Sequence, residues 1–112
     1  MSNSPYIIIA EPAPIIFEGL AAILVKSGLN PIVSKAANLE EIQQLQLKRK
    51  SNIIIISPSL IQNNLKLYNS LRNQFENIQW IGLLYAYYEP DLVSLFHATI
   101  NISDKPEMIA AT

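Results

Sequence analysis

Short apolar runs alternate along the chain with amphipathic stretches. Residues 6–10, Tyr-Ile-Ile-Ile-Ala, form a run rich in β-branched side chains with no polar interruption. Such a run fits a strand covered on both faces, as in a parallel sheet. Glu11-Pro12-Ala13-Pro14 ends it, because neither proline has an N–H for a sheet ladder. Ile15, Ile16, Gly19, Leu20, Ile23 and Leu24 then recur at helical spacing and predict a helix with one apolar face, closing near Ser27-Gly28. Asn30-Pro31 turns the chain into a second strand over 32–36. Asn38 reads as the N-cap of a second helix. Glu40 and Glu41 lie at the positive end of its dipole and Lys48-Arg49-Lys50 at the negative end, with Leu39, Ile42, Leu45 and Leu47 as its apolar contacts.

Residues 53–57, Ile-Ile-Ile-Ile-Ser, carry the strongest strand signal, and Pro58 ends it. Ile61, Leu65, Leu67, Tyr68, Leu71 and Phe75 predict a third helix, and residues 78–86 a fourth strand. Glu89-Pro90-Asp91 opens a fourth helix, with proline in the first turn where its missing N–H costs little. Leu92, Leu95 and Phe96 give that helix its apolar face and His97 falls near its end. Residues 99–102 read as a short fifth strand, and Ser103-Asp104-Lys105-Pro106-Glu107 as the start of a fifth helix.

This order, βαβαβαβαβα, predicts a parallel sheet with helices on both faces. There is no internal repeat, low-complexity tract or linker. The closing helix has only residues 106–112 in which to form and would leave sheet surface uncovered. The expectation is a chain cut within or just after its last helix.

Composition narrows the chemistry. With 112 residues the chain has the length of one domain. Charged residues make up 15%, against about 25% in an average soluble domain. Net charge is −1 and the isoelectric point about 5.7, so no excess of Lys and Arg marks a nucleic-acid footprint. The absence of cysteine excludes disulfides, thiolate zinc sites, iron–sulfur clusters and thiol catalysis, and a single histidine excludes a His-rich metal site. The apolar run at residues 6–10 is too short for a signal peptide or a membrane span, and a cytoplasmic location is the simplest expectation.

Residues 7–20, Ile-Ile-Ile-Ala-Glu-Pro-Ala-Pro-Ile-Ile-Phe-Glu-Gly-Leu, resemble the opening of receiver domains in bacterial response regulators of the NarL/LuxR type. There an apolar strand runs into two acidic residues, then His-Pro and an Arg-Glu-Gly-Leu helix; Pro14, Glu18, Gly19 and Leu20 match at the same offsets. The order of elements and the length agree over the whole chain. The resemblance implies a flavodoxin-like (CheY-like) doubly wound α/β fold, a five-stranded parallel sheet of order 2-1-3-4-5 with flanking helices. It also implies a phosphorylation pocket at the carboxyl ends of the strands. A carboxylate nucleophile ends the third strand there, acidic residues after the first hold Mg²⁺, and a Thr or Ser after the fourth and a Lys after the fifth bind the phosphoryl oxygens.

The chain departs from that pattern at nearly every position. Ser57 stands where the phosphoacceptor belongs, and a hydroxyl without a positioned base is a poor nucleophile. The acidic pair reads Glu11-Pro12. The Thr position falls on Tyr85, or on Leu84 in a shifted register. Ser103 or Asp104 falls at the Lys position, with Lys105 slightly late. The resemblance therefore implies a degenerate receiver, a pseudoreceiver, with no catalytic residue, bound metal or cofactor.

Each candidate has a plainer reading as well. Glu11 is either a remnant of the metal pair or a solvated loop carboxylate. Ser57 reads foremost as a strand-end group bonding loop amides. Tyr85, Tyr87 and Tyr88, with Trp80 upstream, either pack ordinarily, or fill the pocket or form a contact surface. His97 reads as a surface residue whose charge suits a helix end, Lys48-Arg49-Lys50 as a solvated helix terminus, and Gly19 as a point of close packing.

The function expected is that of a non-enzymatic, phosphorylation-independent regulatory domain of a transcriptional regulator. Its partners would be its own C-terminal helix-turn-helix output domain, beyond this sequence, or a homodimer partner. This segment itself would bind no nucleic acid and no membrane. The alternatives are a small flavodoxin-like ligand-binding domain and a stand-alone dimerisation adaptor. Against phosphate binding in any of these, the loop Glu11-Pro12-Ala13-Pro14 offers few backbone donors and a negative charge.

Overall fold

The structure, a computed structural model, describes residues 6–26, 31–62, 64–84, 88 and 90–101. Strands β1 (Tyr6–Ala10), β2 (Ile32–Ala36), β3 (Ile53–Ile56), β4 (Gln79–Leu84) and β5 (Ala98–Asn101) pair in parallel in the order β2-β1-β3-β4-β5. Helices α1 (Pro14–Lys26), α2 (Leu39–Lys48), α3 (Ser59–Gln62), α4 (Leu65–Gln74) and α5 (Pro90–Val93) lie between them. This is the doubly wound flavodoxin-like sheet that the alternating pattern predicts. The fifth helix expected after residue 102, and the cut within it, lie outside the described residues.

The uninterrupted isoleucine runs form strands because both of their faces are covered. Ile8, Ala10, Ile54, Ile56 and Trp80 face one core, closed by Leu39, Ile42, Tyr68 and Leu71 of α2 and α4. Ile7, Ile9, Ile55, Ile81, Leu83 and Ile100 face the other, closed by Leu20 and Leu24 of α1. The first core is aromatic at its centre. Tyr68 and Trp80 meet edge to face with centroids 5.0 Å apart and planes at 82°, and Phe96 stands 5.9 Å from Tyr68. The Tyr68 hydroxyl donates to Leu95 O at 2.9 Å.

Gly82 makes room for this packing. A Cβ there would lie 2.8 Å from Cδ2 of Phe96, closer than carbon atoms pack. Gly19 is the opposite case. It is exposed and a Cβ would meet nothing within 4 Å, so the close packing expected at Gly19 is not there.

Several local expectations change. The third helix divides into α3 and α4, and Asn64 starts the second part, its carbonyl accepting from Tyr68 N at 3.1 Å. The fourth helix is a single turn. After Val93 the backbone tightens, with Leu95 N donating to Leu92 O and Phe96 N to Val93 O, which lays Phe96 over Gly82 and brings His97 to the sheet. His97 N donates to Trp80 O at 2.9 Å, and His97 Nδ1 accepts from Trp80 N at 3.0 Å. His97 therefore belongs to the entry of β5, not to a helix end. A backbone N–H can only donate, so Nδ1 carries no proton and the ring is neutral in this arrangement.

On α2 the apolar assignment fails at Leu47, which is 68% exposed, while Gln46 is buried. Gln46 takes the inward place because it is bonded there. Its Oε1 accepts from Ser51 N, and its Nε2 donates to Ser51 O at 3.0 Å. The α2 cap is as expected, with Asn38 Oδ1 accepting from Glu41 N at 2.9 Å. Arg49 is exposed and lies over the Tyr6 ring at 4.7 Å.

Candidate functional site

Parallel α/β sheets bind ligands outside the carboxyl ends of their strands, at the point where the strand order reverses. Here that point lies between β1 and β3, the strands flanked by Glu11 and Ser57. The two residues are neighbours across the ladder, since Ser57 N donates to Ala10 O at 3.0 Å. The positions singled out from the sequence at these strand ends therefore come together in space.

Their surroundings differ from those of an open pocket. Glu11 is 0% exposed, which corrects the reading of a solvated loop carboxylate. The prolines explain its role. Pro12 and Pro14 bring no N–H to the loop, and the one amide between them, Ala13 N, donates to Glu11 Oε2 at 2.7 Å. Ala13 O in turn accepts from Ile16 N and Phe17 N, both at 3.1 Å, so this short turn leads straight into α1 with Pro14 as its first residue. Pro12 is exposed.

Ser57 is also 0% exposed. Its Oγ lies 3.0 Å from Ser59 Oγ, and its carbonyl accepts from Leu60 N at 3.0 Å. Together with buried Pro58 it makes the turn from β3 into α3. The tight Ser-Pro-Ser turn is a signal present at residues 57–59, yet Ser59 was not among the residues expected at the site. Tyr88 is half-buried. Tyr85, Tyr87, Ser103 and Lys105 lie outside the described residues.

The Mg²⁺ ion implied by the resemblance does not fit the donors that are described. A hard dication needs several oxygen ligands held around it. Glu11 engages a backbone amide, the next residue is a proline, and Ser57 brings a hydroxyl paired with a second hydroxyl. Among the described residues no three acidic, histidine or cysteine side chains gather to hold a metal ion.

The amino ends of the strands carry polar structure of their own. Ser51 Oγ hydrogen-bonds with Tyr6 O and Ile53 O, tying β1 to β3, and Gln79 N donates to Asn52 O at 2.8 Å, tying β3 to β4. Beside them lies an open cavity of about 400 Å³ between α4 and the starts of β4 and β5. On the α1 side of the sheet an apolar groove of about 290 Å³ runs past Ile15, Gly19 and Leu83. Ile15, expected on the buried face of its helix, is 83% exposed there. Among the described residues no helix is long and apolar enough to cross a membrane.

No protein-family model matches the chain, and no curated protein sequence matches it. Solved structures do. A response regulator from Thermotoga maritima is 18% identical with a TM-score of 0.79, over 96% of this chain and 92% of that one. The signal receiver domain of an HD domain-containing protein from Pseudomonas fluorescens Pf-5 is 16% identical with a TM-score of 0.81, over 99% of this chain and 85% of that one. The receiver domain of a signal transduction histidine kinase from Syntrophus aciditrophicus is 22% identical with a TM-score of 0.76, over 96% and 86%. With the five parallel strands in the order 2-1-3-4-5, these likenesses show that the chain has the fold of a response-regulator receiver domain.

Proposed function

We propose that the chain is a pseudoreceiver, a regulatory domain that acts through protein contacts and takes no phosphoryl group. The observation that carries this reading is Ser57. At the end of β3 it offers a hydroxyl with no access to solvent, facing another hydroxyl, beside a glutamate that already holds the loop amide. A phosphoryl acceptor needs an activated nucleophile and a counter-ion for the incoming charge. Ser57 Oγ faces the hydroxyl of Ser59, and Glu11 Oε2 is engaged by Ala13 N.

Residues 7–20 support placing the domain in a NarL/LuxR-type transcriptional regulator of the cytoplasm. Its partners are then an output domain of the helix-turn-helix kind on the same polypeptide and a second copy of itself. Gene control falls to that output domain, and this domain passes on a signal other than aspartyl phosphate.

Thermal melting with and without millimolar Mg²⁺ tests the reading. The melting temperature is expected to be the same in both, because a ligand that does not bind the folded state cannot stabilise it. A saturable upward shift with Mg²⁺, absent with Na⁺ at matched ionic strength, would overturn it.

A further inference from the structure

The cavity at the amino ends of β4 and β5 lies at the opposite end of the sheet from Glu11 and Ser57. We infer that it binds a small monoanion with an aromatic body, an aryl carboxylate in the simplest case.

The donors come from two elements. Asn69, Arg72 and Asn73 stand one helical turn apart on α4 and line the cavity together. The Arg72 guanidinium lies over the Tyr68 ring, 5.6 Å from its centroid. A guanidinium held over a ring still has N–H groups in its own plane to form hydrogen bonds, the geometry that holds a carboxylate in two parallel bonds. His97 lines the cavity from the entry of β5. Because its Nδ1 accepts from Trp80 N, the ring proton sits on Nε2, and that N–H is a further donor directed away from the β4 backbone.

The rest of the cavity sets the ligand's shape and charge. Half-buried Phe75 supplies aromatic wall, suited to a flat apolar body, while Trp80, buried in the core, borders the cavity. About 400 Å³ lies within the usual range of small-molecule sites. Among the described residues of its lining, Arg72 is the one Lys or Arg and Glu76 the one carboxylate. With one cation and one anion in the lining there is no surplus positive charge, which disfavours a phosphate dianion or a polyphosphate.

Trp80 is the only tryptophan of the chain, so its fluorescence reports directly on this cavity. Titration of the full chain with phenylacetate is expected to give a saturable change in that fluorescence. 2-Phenylethanol, which keeps the body and lacks the charge, and inorganic phosphate, which keeps the charge and lacks the body, are each expected to bind at least about tenfold more weakly. Arg72→Gln is expected to weaken phenylacetate by at least about tenfold with no loss of the folded baseline. No saturable response to phenylacetate, or an equal response to 2-phenylethanol, overturns the inference without any variant. Equal affinity in a folded Arg72→Gln protein overturns it as well. None of these outcomes bears on Ser57, so failure here leaves the pseudoreceiver reading standing.

Discussion

The two ends of the sheet use their polar residues in opposite ways. At the carboxyl ends of β1 and β3, Glu11 and Ser57 are fully buried and bonded into the turns that launch α1 and α3. At the amino ends of β4 and β5, half-buried Arg72 and exposed His97 border an open cavity. In a doubly wound fold the carboxyl end is the usual place for a ligand. Here the described residues at that end, Glu11 and Ser57, are buried in turns, and the open cavity with donors in its lining lies at the other. The contrast separates fold from function, since one fold can carry different chemistry at the same strand ends.

Substitutions that break each end can test whether the contrast is real. The largest effect is expected at the amino end from Gln46→Ala, which strands the buried N–H and C=O of Ser51 together. A cost of about 2–4 kcal/mol is expected in urea unfolding. A cost under about 0.5 kcal/mol would mean that water replaces the glutamine and that this corner is open.

At the carboxyl end, Glu11→Ala removes the acceptor for Ala13 N and is expected to cost about 1–3 kcal/mol by the same measurement. The sign matters more than the size. Reactive residues are often held at a cost in stability, so a more stable Glu11→Ala protein would point to a working site and against a structural turn.

Alkaline pH probes the aromatic core that lies between the ends. Burial pushes the Tyr68 phenol from 10.0 up to about 12, although nearby Arg72 pulls the other way. The folded state keeps this proton where the unfolded state has lost it. Stability is therefore expected to be fully present below pH 10 and to fall as pH rises from about 10 to about 12. Denaturant midpoints across that range check this, and Tyr68→Phe is expected to flatten the fall. An unchanged slope in that variant would assign the titration to another group.

The smallest effect is expected from Gly19→Ala, in an exposed and uncrowded position of α1. It should stabilise the protein by about 0.5–1 kcal/mol, since alanine is the better helix former. Destabilisation would show that this face of α1 is covered more closely than the described residues indicate.

The sheet was legible in the sequence because its central strands are buried on both faces and therefore written as unbroken runs such as residues 53–56. At the candidate site, the resemblance of residues 7–20 pointed to Glu11 and Ser57, but it did not show that both are buried: Pro12 and Pro14 leave Ala13 N as the one amide of the loop, yet only the folded turn brings it onto Glu11 Oε2. Leu95 and Phe96 continue the period of a helix that ends at Val93, because periodicity does not register that Gly82 leaves a seat for a ring. Gln46 looks like solvent-facing surface until Ser51 is placed beside it. His97 changes most, from a charged helix-end residue to a neutral acceptor for Trp80 N, because a contact between residues 17 positions apart leaves no local trace.

The central claim is that the carboxyl end is closed to phosphoryl chemistry. Incubation of the full chain with acetyl phosphate and Mg²⁺, followed by intact-mass measurement, tests it most directly. The mass is expected to stay that of the unmodified chain at every time point. A species heavier by one phosphoryl group, formed only with Mg²⁺ and lost in Ser57→Ala, would contradict it.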